Sequence, residues 1–196
     1  MDDPIRNLIE EFKRLPGVGE KTAQRYAYFI VSLVDRDARK MAGAIVDVKE
    51  KIKVCSICYN FSNTDPCIIC SDKRRENGQI CVVEDPRDMM AIEKSVVFKG
   101  RYHILHGAIS PIMGIGPDEL RIEELRRRVK GGEATEVIIA TNPTKEGEAT
   151  AHFIQERLKD LPVMITRIAR GVPVGGDLEY FDPQTLSEAI SNRKRF

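Results

Sequence analysis

The sequence predicts a mixed α/β protein: a helical N-terminal segment, a small four-cysteine module, a mostly parallel sheet with its helices, and a short C-terminal segment. Three observations carry this reading. Residues 4–51 place apolar side chains at helical spacing and show no strand pattern. Cys55-x2-Cys58-x8-Cys67-x2-Cys70 gathers four cysteines in one short window. From Gln79 onward, short apolar runs alternate with helical stretches, as in a parallel sheet covered on both faces.

The elements follow in order. Pro4 near a helix start, with Ile5, Leu8, Ile9 and Phe12 at helical spacing, predicts a helix over 4–14. Leu15-Pro16-Gly17-Val18-Gly19 breaks it, and further helices are expected over 20–33 and 37–51. The cysteine module occupies 54–71, and the polar stretch 72–78 reads as a linker. Strands are expected at 79–84, 101–106, 136–140 and 163–168, with helices at 86–94, 120–130 and 148–161. A Gly/Pro loop spans 107–117, a polar loop 141–147, and 186–190 carries a last helical pattern.

Composition narrows the function classes. The chain has 196 residues, 42% of them hydrophobic, and a net charge of +1, so no global basic field announces nucleic acid. Residues 1–53 carry 11 Lys+Arg against 9 Asp+Glu, and residues 77–175 balance at 14 against 14. Nucleic-acid binding therefore needs a local site, or one repeated in an oligomer. The longest apolar run, Tyr26 to Val34, is interrupted by Ser32 and falls far short of the roughly 20 residues of a membrane helix, so a cytoplasmic protein without a membrane span is expected.

Two Cys-x-x-Cys knuckles this close can fold four thiolates around one tetrahedral ion, and zinc suits such a set best. A segment this short buries too little apolar surface to order itself, so one structural Zn2+ per chain on Cys55, Cys58, Cys67 and Cys70 is the expectation. Disulfides are disfavoured because the N-terminus does not resemble a secretory signal. Cys81 lies in an apolar run and reads as a buried strand residue.

In Leu15-Pro16-Gly17-Val18-Gly19-Glu20-Lys21-Thr22-Ala23, two glycines make a tight turn that lets backbone approach a ligand. The following helix aims its free N–H groups at that point, where a phosphate can sit, and Lys21 and Arg25 share the adjoining face. The pattern resembles a helix-hairpin-helix, which holds nucleic-acid backbone without reading sequence.

Acidic residues gather at strand ends: Glu84, Asp85 and Asp88 after the first strand of the sheet, Glu146 and Glu148 after the third. Either they converge on Mg2+, as phosphoryl-transfer sites do, or they form a surface for a basic protein partner. The layout resembles a Toprim domain, with Glu-x-Glu where that fold has Asp-x-Asp. The three histidines are scattered and read as structural, the Arg126-Arg127-Arg128 triplet as a solvated face, and no nucleophile stands in a supporting context. The Gly-rich loop 109–117 lacks the Gly-Lys-Ser/Thr of a P-loop.

Helix-hairpin-helix (1–53), four-cysteine zinc finger (54–76), Toprim domain (77–175) and C-terminal oligomerisation segment (176–196), in this order, resemble the bacterial RecR recombination mediators over the whole chain. Three strings carry the resemblance: 15–25, 140–150 and 169–180. It implies a DNA-repair protein without catalytic residues. Such a protein acts as a homodimer or homotetramer ring that clamps DNA and, with RecO and RecF, helps load recombinase onto gapped or single-strand-binding-protein-coated DNA. It implies DNA contacts at Gly17, Gly19, Lys21 and Arg25, and partner contacts at Glu84, Asp85, Asp88, Glu146 and Glu148. The competing reading is a Mg-dependent Toprim nuclease or primase-like enzyme on Glu84, Glu146 and Glu148. Met113, where an acid is expected, and Lys145, where a small or apolar residue is usual, depart from the pattern and weaken a metal site there.

Overall fold

A computed structural model describes residues 3–193, so Lys194 and Arg195 of the short basic run Arg193-Lys194-Arg195 lie outside the described residues. The chain forms two compact units that divide after Ile52.

The first unit is helical. Helix α1 (Pro4–Lys13) starts where Pro4 fixes the first turn and the Asp3 side chain accepts from the N–H groups of Ile5 and Arg6. Helix α2 (Glu20–Ser32) packs against α1, with Phe12 and Tyr26 meeting edge to face at 5.8 Å. Helix α3 (Asp35–Lys51) starts two residues earlier than the sequence suggests, with Asp35 and Asp37 in its first turn, where the helix dipole favours acids. Among the described residues of this unit only Ala23 and Ala27 are buried, while Phe29, Val31, Ile45 and Val48 each keep more than half their surface in solvent.

The second unit is built on a four-stranded parallel sheet. Its strands are β3 (Gln79–Val83), β4 (Arg101–Ile104), β5 (Glu136–Ile139) and β6 (Met164–Arg167), in the order β4-β3-β5-β6. Alternation along β3 divides the core. Ile80 and Val82 face α6 (Ile122–Lys130) and α7 (Lys145–Leu158), packing with Leu125, Ile154 and Leu158. Cys81 and Val83 point the other way, into a cluster with Tyr102, Ile104 and Met89 of α5 (Pro86–Lys94). The four module cysteines belong to that same cluster. The module itself is a short antiparallel pair, β1 (Lys53–Val54) and β2 (Phe61–Ser62), followed by α4 (Ile68–Ser71). It lies over the sheet beside α5, where a parallel fold ordinarily places a helix.

Several expectations need correction. Strand β4 ends at Ile104 because His106 adopts φ 62° and leaves the extended region. The polar stretch 72–78 is no free linker: Arg75 makes a two-pronged pair with Glu93 at 2.9 and 2.8 Å, and Arg101 reaches Glu76 at 2.6 Å and the Cys70 carbonyl at 2.9 Å. Arg128 is not on a solvated face. It is 8% exposed, donating to the Tyr102 carbonyl at 2.9 Å and the Glu133 carboxylate at 3.0 Å. Helix α7 begins at Lys145, inside the expected loop, because the Thr144 side chain caps it by accepting from Gly147 N–H at 3.1 Å. The last helix, α8 (Pro183–Ser191), is longer than its apolar pattern, with Asp182 as its cap.

Candidate functional site

The turn between α1 and α2 takes the form its glycines permit. Gly17 has φ +77°, which a side chain would strain, and Val18 N–H closes the turn on the Leu15 carbonyl at 3.1 Å. Gly19 precedes α2 and offers no side chain to cap it. The first N–H groups of α2 therefore face outward uncapped, the arrangement that receives an anion. Lys21 and Arg25 are exposed on the adjoining turns, and Lys21 makes no ion pair among the described residues. Glu20 would repel a phosphate there, but Lys13 holds it at 2.8 Å and lowers its pKa. Behind the turn, Phe12, Leu15, Tyr26, Phe29 and Met41 line an open apolar cleft of about 500 Å³.

The four module cysteines are buried, and their sulfurs lie within 4.8 Å of one another. Tetrahedral coordination with a Zn–S length near 2.3 Å separates sulfurs by about 3.8 Å; Cys58 and Cys67 are 3.6 Å apart. The backbone is already arranged for thiolates, since Cys67 N–H points at Cys55 Sγ at 3.3 Å. Ser56 N–H on Asp65 at 2.8 Å ties the two knuckles together. These residues fit a metal ion. Cys81 stands apart in β3, its thiol pushed up to about 12 by burial.

The acids at the strand ends do not form one open patch. Asp85 and Asp88 make the capping box of α5, and Asp85 also holds Arg87 at 2.7 Å, which lowers its pKa. Glu84 receives the N–H and the side-chain amide of Asn142 at 2.9 and 2.7 Å. Glu148 receives both guanidinium nitrogens of Arg167 at 2.6 and 2.5 Å and is also paired with Arg170. Glu146, half-buried, has no side-chain partner among the described residues. Among the described residues no three carboxylates bring their oxygens within 4.8 Å of one another. Of the five acids, Asp85 and Glu148 are paired with arginines, Glu84 and Asp88 accept from amide groups and keep their charge, and the Glu146 side chain has no partner among the described residues. Asn142, Gly147, Arg167 and Arg170 have parts here that the sequence does not reveal. Gly147 is obligatory: a Cβ would fall 2.0 Å from the Asn142 carbonyl and 2.8 Å from Glu84 Oε1.

Comparison with known proteins is consistent along the chain. The RecR helix-hairpin-helix model matches residues 5–49, the Toprim domain model 78–169 and the RecR C-terminal model 171–194. The recombination protein RecR of Pelotomaculum thermopropionicum is 52% identical over 191 residues, covering 97% of this chain and 96% of its own length. The chain belongs to the RecR family. The RecR of Heliobacterium modesticaldum is 51% identical over 192 residues, covering 98% of this chain and 96% of its own. With the RecR family comes a role in DNA recombination and repair. Met113 and Lys145 are both exposed: Met113 ends a 3-10 turn in the Gly-rich loop, and Lys145 is the first residue of α7. No helix among the described residues is long and apolar enough to cross a membrane.

Proposed function

We propose that this chain is a recombination mediator that holds DNA by its backbone, without turnover. It works as an oligomeric clamp that, with RecO-like and RecF-like partners, loads recombinase onto gapped or protein-coated DNA in the nucleoid-associated cytoplasm. The observation that carries the reading is the uncapped start of α2 beside Lys21 and Arg25, on a turn whose Gly17 holds φ +77°. Backbone N–H groups and two flexible cations bind phosphates and read no bases. Gly17 and Gly19 let a phosphate approach the backbone, and Lys21 and Arg25 flank it.

Zinc on the four cysteines is the structural ion of this reading. Four soft thiolates in a closed tetrahedral set select it, and no position is left for a substrate. The four segments named from the sequence are the functional divisions: hairpin, finger, Toprim body and C-terminal oligomerisation segment. Oligomerisation is supported by the exposed apolar side chains of α2 and α3, which a second copy would cover. Of the five acids expected to meet a basic partner, Glu146 is the one without a side-chain partner, so partner contact centres on it. Against a metal-dependent nuclease or primase weigh the nitrogen donors already held by Glu84 and Glu148.

Lys21→Ala and Arg25→Ala should weaken binding to unrelated DNA sequences equally. Each should flatten the salt dependence of log K by roughly 0.9 for every DNA-bound chain of the oligomer, the share of one neutralised phosphate per chain. Fluorescence anisotropy on two duplexes of different sequence, from 50 to 200 mM salt, measures this. Wild-type affinity and slope in both variants would remove the hairpin from the DNA interface.

A further inference from the structure

The Toprim resemblance places a divalent cation at the carboxyl end of the sheet, and the side chains there answer that expectation differently. Arg167 is the last residue of β6, and Arg170 follows three positions later. Both reach back to Glu148 in the first turn of α7. Arg167 engages both carboxylate oxygens, at 2.5 and 2.6 Å, in the two-pronged geometry that makes guanidinium–carboxylate pairs strong. Glu84, the other acid the fold would offer a metal, has both oxygens hydrogen-bonded by Asn142.

We propose that Arg167 and Arg170 permanently fill the cation position of this Toprim site, so that the chain binds no divalent metal there. Three lines of chemistry lead to this. Magnesium and manganese need hard oxygen ligands free to turn toward the ion, and here the oxygens of Glu84 and Glu148 are directed at nitrogen donors. Guanidinium groups keep their charge at any ordinary pH, so the block does not lift on titration. The charge of Glu148 is also met: Arg167 and Arg170 both pair with it, so a divalent ion would have to displace two fixed cations from that carboxylate. Arg167 and Arg170 hold Glu148 and Asn142 holds Glu84, so the fold keeps its Toprim shape with a built-in cation instead of a bound one.

The inference rests on the Toprim geometry and not on the DNA-binding reading, and its test involves no DNA. Mn2+ is titrated into the full-length, zinc-loaded protein, and free Mn2+ is read by electron paramagnetic resonance. The wild-type protein should leave the free signal unchanged up to about 1 mM, the weak end of protein sites for divalent cations. Arg167→Gln/Arg170→Gln should take up about one Mn2+ per chain, and adding Glu148→Gln should abolish the uptake. Zinc content and circular dichroism establish that each variant is folded. Should the double variant not fold, Arg170→Gln alone is titrated and should show weaker uptake of the same kind. Wild-type uptake that Glu148→Gln removes would overturn the proposal. So would a folded Arg167→Gln/Arg170→Gln or Arg170→Gln protein that binds no Mn2+.

Discussion

His103 is fully buried in the second unit, and its partners define its state. Nε2 donates to the Arg121 carbonyl at 2.6 Å, and Nδ1 faces a guanidinium nitrogen of Arg128 at 3.2 Å. Burial, reinforced by the Arg128 charge, lowers its pKa to about 3, so the ring is neutral in the folded protein. The unfolded chain takes up this proton near pH 6.5 and the folded one does not. The stability that His103 contributes is therefore complete above pH 6.5 and lost progressively as pH falls toward 3. Between pH 7 and 5 one such proton is worth about 2 kcal/mol. Urea unfolding of His103→Gln should accordingly show a pH-dependent loss over that interval smaller than wild type by about that amount. Equal losses would mean that the histidine charges inside the fold. Single residues are also where the sequence is hardest to read. The buried arginine and the solvated ones stand side by side in Arg126-Arg127-Arg128. Which one turns inward depends on helix phase against the sheet, which no local pattern carries. Gly147 lowers the helical signal of 145–148, although the helix needs it to pass the Asn142 carbonyl and Glu84.

At the scale of elements, the strands of the sheet and most of its helices are readable because parallel strands buried on both faces appear as continuous apolar runs. The clustering of the four cysteines is readable for a different reason, since the spacing of the two paired knuckles alone brings their sulfurs together. What the chain does not announce is that the finger forms part of the sheet's own core. Ile104 N–H bonds the Cys58 carbonyl at 2.9 Å, and His106 Nε2 lies 2.7 Å from the Tyr59 carbonyl. Tyr59 also packs edge-on to His103 at 5.4 Å and beneath Arg121 at 5.2 Å. The finger thus covers the face that carries Cys81 and Tyr102. Cys58→Ser should lose its metal and also uncover that face, lowering the thermal midpoint of the whole second unit. Zinc assay and calorimetry on the same sample check both halves. Retained zinc would contradict the ligand assignment, and metal loss at an unchanged midpoint would contradict the coupling. The stretch 72–78 misleads for the opposite reason: its charges, which read as a solvated linker, make the pairs that fasten finger to sheet.

For the whole molecule, the two units differ in how much they bury. The second has two apolar clusters around its sheet. The first buries only two alanines among its described residues and leaves long apolar side chains of α2 and α3 in solvent. A helical unit with so little core is stabilised by covering that surface, and the mediator reading assigns the cover to further copies of the chain. In that reading oligomerisation would also multiply a local phosphate site on a chain whose net charge is only +1, and so give a nearly neutral protein enough contacts to hold DNA. The measurement that bears on this most directly is the solution mass by multi-angle light scattering at micromolar concentration, with and without gapped DNA. A mass at a whole multiple, greater than one, of the 22.1 kDa chain, rising by the mass of the DNA when gapped DNA is added, is the expected result. A 22.1 kDa particle that does not change on adding DNA would contradict the oligomeric DNA clamp.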